Sequence, residues 1–487
     1  MASSALSGDH VVEAAGCFAG EGAGVLSNVR LTLKDGLIER IEQMSEPAAG
    51  PRRLLLPALV NAHDHARPTG SSFGALNMPL ETWILRSALG TPPDPYLQAA
   101  ASMARSVRGG CAAMMVHYTR PSGLMSIPDE AAEIARAAGD VGIRLAFALA
   151  VRDQNPLVYG DADPVLAALP ESDRQTMEAL FVRPPPRPQD YLALVEDIAS
   201  RIAGPMVDVQ LGPAGVQWCS RPMLEAIAAH SLATGRRIHM HLLETPYQRV
   251  WADRAFPEGI VRYLADIGFL SSRTTLAHCT HARPDELDLI AQHGARIVTN
   301  FSSNLHLHSG LAPIADARRR GCAVAVGVDG LALDEDDDAL REMRLVQMAH
   351  DGTGFDRTWS HAAFLDQAIA AGRGATGAPG PGVLAEGAPA DLIAIDLDRL
   401  DRDAILPVDP LGLLFARGNM SHVREVVCAG RVLMRDGVVL GVDLPAIEAE
   451  LRKLYRVAMP GFSGLIEGWR RIEPQVQGWY RAHCGCG

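Results

Sequence analysis

The sequence predicts an α/β protein: a (β/α)8 barrel of the TIM type with a small composite β-sandwich domain drawn from both chain ends. Three observations carry this. Eight short apolar runs are mostly separated by stretches of helical composition, and strands alternating with helices imply a parallel sheet. Segments with hairpin texture flank that body on both sides. Several of the apolar runs end in histidine or aspartate, and a barrel places its chemistry at the C-terminal ends of its strands.

Taken in order, residues 22–55 read as short strands with turns, and Asp35-Gly36 between two apolar stretches is a hairpin signal. The eight runs are 54–62, 112–118, 143–151, 206–211, 238–243, 274–278, 295–301 and 323–328. Helices are expected between them over 129–138, 189–203, 221–234, 284–293 and 311–320. After the Gly/Pro-rich stretch 377–389, the hairpin texture returns in an apolar run at 390–395 and in 423–434, which leads to Asp436-Gly437. The expected division is 1–56 with 381–440 as the composite β domain, 57–380 as the barrel, and 441–487 as a helical extension. That extension, with Trp469 and Trp479, reads as helices covering the barrel or a partner subunit, so a homodimer is among the expected states.

Composition narrows the function classes. A formal charge of −12 over 487 residues argues against a general nucleic-acid or anionic-membrane binder, which needs concentrated Lys and Arg. The first residues lack a basic region followed by an apolar core, and no apolar run reaches the roughly 18 residues a membrane span needs. Eight cysteines are scattered and not spaced as a disulfide framework; Cys484 and Cys486 alone sit close, in a tail read as a frayed terminus. The chain reads as cytoplasmic, with a small molecule as its partner.

The first run ends in His63-Asp64-His65. In an extended strand His63 and His65 point the same way, and two neutral imidazoles on one face can chelate a zinc- or iron-type ion. The fifth run carries His239, His241 and Glu244, the sixth ends at His278 with His281 beyond, and the eighth is followed by Asp329. A lone histidine on an apolar strand is ordinarily a packed core residue. Several runs ending this way on one face point to a metal site.

At these residues the sequence resembles the amidohydrolase superfamily, specifically its mononuclear, deaminase-type branch. The likeness rests on the stretch from Pro57 through His63 and His65, on His241-Leu-Leu-Glu244, Ala277-His278-Cys279, Ser302-Ser-Asn304 with Ser309-Gly310, and Gly327-Val-Asp329-Gly330, and runs over about residues 22–440. The resemblance implies one divalent metal, zinc before iron, held by His63, His65, His241 and Asp329. The two-metal branch commonly uses a carboxylated lysine, and this chain has only Lys34 and Lys453, so one metal is the better reading. His241 is preferred over His239 because it lies nearer the strand end, while His239 sits a layer deeper. The resemblance further implies that His278 polarises the attacking water or the substrate. A metal lowers the pKa of its water from about 15.7 to about 7, Asp329 accepts the proton, and Glu244 shuttles it to the ring and leaving group.

The chain departs from many relatives after Asp329-Gly330, where Leu331-Ala-Leu333 precedes the acidic run 334–338. This run reads as a solvated loop or helix start; the sharper hypothesis puts Asp334 or a neighbour in the pocket, binding an amino or amidine group. Substrate-facing candidates are Trp83, Tyr118, Gln217, Trp218, His306 and His308, whose aromatic members would sandwich a flat ring. Two reactions share these residues. One is hydrolytic deamination of an aminated heterocycle of purine, pterin, pyrimidine or triazine type. The other is hydrolysis of a cyclic amide, amidine or peptide-like C–N bond, with triazine dehalogenation as a variant.

Overall fold

A computed structural model describes residues 10–484. The N-terminal stretch read for a secretory signal, and Cys486, lie outside the described residues.

The barrel consists of eight parallel strands in sequential order: β5 (Leu59–Asn61), β6 (Cys111–Tyr118), β7 (Arg144–Val151), β8 (Val207–Pro213), β9 (Ile238–Leu242), β10 (Thr274–His278), β11 (Arg296–Thr299) and β12 (Ala323–Val326). All eight expected runs contribute one. The ring closes where the Ala62 N–H donates to the Val326 carbonyl at 3.1 Å. Strands β6 and β9 are buried along their whole length, as parallel strands covered on both faces must be. Helices between the strands are set by their ends. Ser126, Ser220, Thr245 and Ser360 cap the first turns with their hydroxyls, and Gly142, Gly235 and Gly377 terminate in the left-handed conformation that glycine tolerates. The five helices expected from sequence occur as Ile127–Val141, Pro188–Ile202, Arg221–Thr234, Pro284–Gln292 and the shorter Ile314–Arg319.

Both chain ends meet in a second eight-stranded sheet, built from β1 (His10–Phe18), β2 (Val25–Lys34), β3 (Leu37–Gln43) and β4 (Arg53–Pro57) with β15 (Leu392–Asp396), β16 (Val423–Cys428), β17 (Arg431–Arg435) and β18 (Val438–Val439). The junction is β4 against β15, antiparallel with Pro57 opposite Leu392. A small hairpin, β13 (Gly352–Thr353) with β14 (Asp356–Arg357), stands apart.

One expectation needs correction. The first apolar run, 54–62, is not one barrel strand. Residues 53–57 pair in the terminal sheet, and the chain changes sheets at Ala58, whose N–H donates to the Asp391 carbonyl while that of Leu59 donates to Gly110. Hydrophobicity records burial but not which neighbour a strand pairs with.

The C-terminal segment forms two helices, Leu444–Ala458 and Ser463–Cys484. Leu465, Trp469, Ile472, Val476 and Trp479 of the second pack in one apolar cluster with Trp83, Leu85 and Trp218, which stand at the mouth of the barrel. The extension thus covers the barrel of its own chain. Cys484 is buried at the end of that helix and is not frayed. Among the described residues no helix is long and apolar enough to cross a membrane.

Candidate active site

The histidines converge at the C-terminal end of the barrel. His63 and His65 lie just past β5 in irregular backbone, so their common direction comes from the loop and not from strand alternation. Ligand atoms of His63, His65 and His241 lie within 4.8 Å of one another, and so do those of His63, His278 and Asp329. The ring centroids of His63 and His65 are 4.9 Å apart at 82°, and those of His65 and His241 are stacked at 5.2 Å.

The donor set fits a divalent ion because each ring is oriented from behind. His65 Nδ1 donates to the His117 carbonyl at 2.7 Å and His241 Nδ1 to that of Ala214 at 2.6 Å, which leaves each Nε2 unprotonated and facing the centre. His63 Nδ1 stands 2.7 Å from His239 Nε2. When His63 donates there, its own Nε2, buried with no hydrogen-bond partner, is free to ligate. His239 is therefore the support under His63, one layer down. Burial pulls His63 and His65 down to about 3, so both are neutral imidazoles, the form that binds metal.

Asp329 completes the cluster. Its Oδ1 lies 3.1 Å from His65 Nε2 and 3.5 Å from His63 Nε2, and accepts from Arg67 Nη2 at 2.6 Å; its Oδ2 accepts from the Ser303 hydroxyl at 2.5 Å. Burial works to raise its pKa, but Arg67 and the imidazoles outweigh it and hold the carboxylate well below its usual range. His278 Nδ1 pairs with Asn304 Oδ1 at 2.8 Å, and its Nε2 is 3.8 Å from Glu244 Oε2. Glu244 behaves oppositely to Asp329. Burial, reinforced by the nearby Asp329 charge, raises its carboxyl well above the ordinary range and so favours its protonated form. The pKa values of two carboxyls in one site are thereby moved in opposite directions.

The backbone is strained where these groups are presented. Leu243, His278, Cys279 and Asp329 all have positive φ, between 50° and 72°, a conformation that costs non-glycine residues free energy. Gly327, by contrast, is dictated by space. A Cβ there would lie 2.4 Å from Asn300 Oδ1 and 2.8 Å from the His63 nitrogen, so only glycine lets β12 close against the loop bearing the histidines.

A cavity of about 920 Å³ opens over the cluster. His65, His241, Glu244, His278 and Asp329 form its floor, and Trp83 and Trp218 stand in its wall. The other candidates fall elsewhere. Tyr118 packs on Phe147 and donates its hydroxyl to Glu130 at 2.5 Å; Gln217 is fully buried outside the lining. His306 is exposed and bonded to the Leu333 carbonyl, His308 to Asn77, and His281 to the Ser309 carbonyl. Asp334 is a surface residue paired with Arg341 at 2.6 Å. Its neighbours are structural too. Glu335 accepts from the Ser71 N–H at 3.0 Å, and Asp338 caps the helix Ala339–His350. The acidic run fastens loops and does not enter the pocket.

Arg67, His117 and Glu81 were not singled out from sequence: each lies on no recognisable spacing, and only the fold brings it near the site. Ser303 lies within the Ser302-Ser-Asn304 motif, but no role was expected of it. Glu81 accepts from the hydroxyls of Thr245 at 2.5 Å and Tyr159 at 3.1 Å, its other oxygen being buried without a partner. Burial, opposed by those hydroxyls, raises it to about 7. A carboxyl raised in the folded state contributes stability that is present below its unfolded pKa of about 4.3 and lost as pH rises through 7. Glu81→Gln removes that titration. The fall in melting temperature of the native protein between pH 5 and pH 8 should therefore be smaller in the variant, and an identical fall would show that Glu81 does not titrate there.

A parallel barrel whose strand ends gather neutral imidazoles, an ionised aspartate and a buried glutamate of raised pKa is built for hydrolysis at a divalent metal. The amidohydrolase family profile matches residues 54–433, and the chain belongs to that family. It is a hydrolase acting on carbon–nitrogen bonds. Among similar proteins, a 5-methylthioadenosine/S-adenosylhomocysteine deaminase of Nitratidesulfovibrio vulgaris is 29% identical over 442 residues, 89% of this chain and 93% of that one. A 5′-deoxyadenosine deaminase of Methanothermobacter thermautotrophicus is 28% identical, covering 80% and 83%. The fold is shared with an adenosine deaminase from Xanthomonas campestris with bound zinc, with a TM-score of 0.75 at 21% identity and 92% and 98% coverage. It is shared equally with a zinc-bound atrazine chlorohydrolase from Arthrobacter aurescens, with a TM-score of 0.74 at 23% identity and 91% and 99% coverage.

Proposed function

We propose that the chain deaminates an adenine-type purine nucleoside by hydrolysis, with zinc held by His63, His65, His241 and Asp329. The observation that carries the reaction type is the buried Glu244 set 3.8 Å from His278 beside that cluster, where burial raises its carboxyl above the ordinary range. The purine assignment is supported by the names of the similar proteins and by a cavity with room for more than one ring. The ion supplies acidification of a water from about 15.7 toward about 7. The protein's residues do the rest. Asp329, kept ionised, accepts the proton of the attacking water. His278, fixed through Nδ1 by Asn304, orients that water and the charge developing at the carbon it attacks. Glu244 donates its proton to the adjacent ring nitrogen, and the proton taken up by Asp329 passes to the amino group, which leaves as ammonia. The remaining hydroxyl proton returns to Glu244 as the oxygen on the ring carbon becomes the carbonyl. Trp83 and Trp218 offer faces for the base.

The test is ammonia release by zinc-loaded protein from methylthioadenosine, deoxyadenosine, guanine, a pterin and an aminotriazine. Release from the adenine nucleosides ahead of the rest is expected. Silence across the panel, with zinc bound stoichiometrically, would overturn deamination in favour of amide or amidine hydrolysis.

A further inference from the structure

We propose that Arg120 and Arg152 form a receiving site for an anionic group of the substrate, a carboxylate or a phosphate, in the wall of the catalytic cavity. The inference rests on the deaminase reading for the ring but not for the anion. Arg120 follows β6 and Arg152 follows β7, neighbouring parallel strands, so the fold delivers both to the end of the barrel where the metal cluster sits. Both line the same cavity as His65, His241 and Glu244.

Among the described residues, no carboxylate pairs with either of them. Arg67, the other arginine close to the cluster, is bonded to Asp329 at 2.6 Å. Arg120 instead reaches only neutral acceptors: the Ile84 carbonyl at 3.2 Å, the Ser87 hydroxyl at 3.1 Å and the Ser87 carbonyl. The Arg152 guanidinium lies 4.1 Å from the Trp218 ring centroid, a stacking contact that fixes its plane and leaves the charge unpaired by any carboxylate. Asp153, also in the lining, is already engaged by the Ser220 N–H at 2.7 Å and hydroxyl at 2.5 Å. Burial, with repulsion from Arg67 and Arg152, pulls Arg120 down to about 9, and burial pulls Arg152 to about 10; both remain cationic at neutral pH.

Holding two unpaired cations in a partly dehydrated wall is costly unless something negative enters. A guanidinium presents a planar fork that matches carboxylate or phosphate oxygens in pairs. The cavity, at about 920 Å³, accommodates a substituent extending from a base on its floor to this wall.

Three probes with the same adenine ring and different tails decide it: neutral 5′-methylthioadenosine, adenosine 5′-carboxylate, and adenosine 5′-monophosphate. The measurement is kcat/KM for ammonia release by the zinc-loaded full chain. One anionic probe should exceed the neutral one by about tenfold or more, and which one does so tells carboxylate from phosphate. Arg152→Met and Arg120→Gln should each lower that anionic-to-neutral ratio by about tenfold, with Arg152→Lys restoring part of it. A ratio near one in the native protein, or one unmoved by Arg152→Met in a variant that melts normally, overturns the proposal. Should no probe release ammonia, the deaminase reading fails, and calorimetry with acetate and inorganic phosphate decides the anion site. Binding that is lost in Arg152→Met upholds it; absent or equal binding overturns it.

Discussion

Glu244→Gln lowers kcat by about 10²- to 10⁴-fold, the range typical of removing a positioned general acid, while the zinc content stays that of the native protein. The amide has the shape of the acid but cannot deliver the proton that the ring nitrogen needs. It should also fold well, because burial already favours the neutral form of the native carboxyl and the Glu244 N–H that donates to Gln248 is a main-chain one. Glu244 belongs to neither group whose ligand atoms lie together, His63 with His65 and His241 or His63 with His278 and Asp329, so metal analysis is the control that separates a lost proton from a lost ion. Retention of most of the activity would remove Glu244 from the proton path, and loss of zinc would recast it as a ligand support.

Asp391→Ala is the substitution expected to cost most in stability, about 3–5 kcal/mol. Its carboxylate, about 1% exposed, lies between Arg144 at 3.3 Å and Arg373 at 2.9 Å and accepts the Ala429 N–H at 2.6 Å. Arg144 begins β7 and Arg373 lies on the helix His361–Thr376, whereas Ala429 follows β16, so one side chain ties the barrel to the terminal sheet. Removing it strands two cations with side chains at most 9% exposed. Burial opposes ionisation here, but the two arginines and the N–H prevail and lower the pKa below its ordinary 3.8. A depressed carboxylate stabilises the fold above its unfolded pKa and loses that contribution as pH falls through the folded one. The variant's deficit, measured by denaturant unfolding, should therefore be full at pH 7 and shrink below about pH 4. An unfolding free energy within about 1 kcal/mol of native would show that the arginines find other partners.

The two outcomes reflect how much the sequence disclosed. The barrel strands were legible as short apolar runs mostly separated by stretches of helical composition, and His63, His65, His241 and His278 because they stand at or near the ends of such runs. The sheet change at Ala58 was not, since residues on both sides of it are equally buried. The choice of His241 over His239 rested on distance from the strand end, and the structure places His239 beneath His63, hydrogen-bonded to it. Tyr118, Gln217, His306 and Asp334 were singled out by chemistry at plausible positions, and their side chains turn to local partners or into the core. Arg67, Arg120 and Arg152 escaped notice for the converse reason. Arginine carries nearly all the positive charge of this chain, so nothing marks three of them until the loops bring them over one cavity.

The pairing of β4 with β15 also bears on how the molecule is made. These strands come from opposite ends of the chain, and the whole barrel is strung between them. Their contact has a very large sequence separation, the kind that forms late and slowly because the loop it closes is so long. Until it forms, β1 to β4 can pair among themselves through β1, but β4 presents an open edge on its other side. During synthesis that edge waits for the barrel to be completed, which makes it the segment most exposed to pairing with a neighbouring nascent chain.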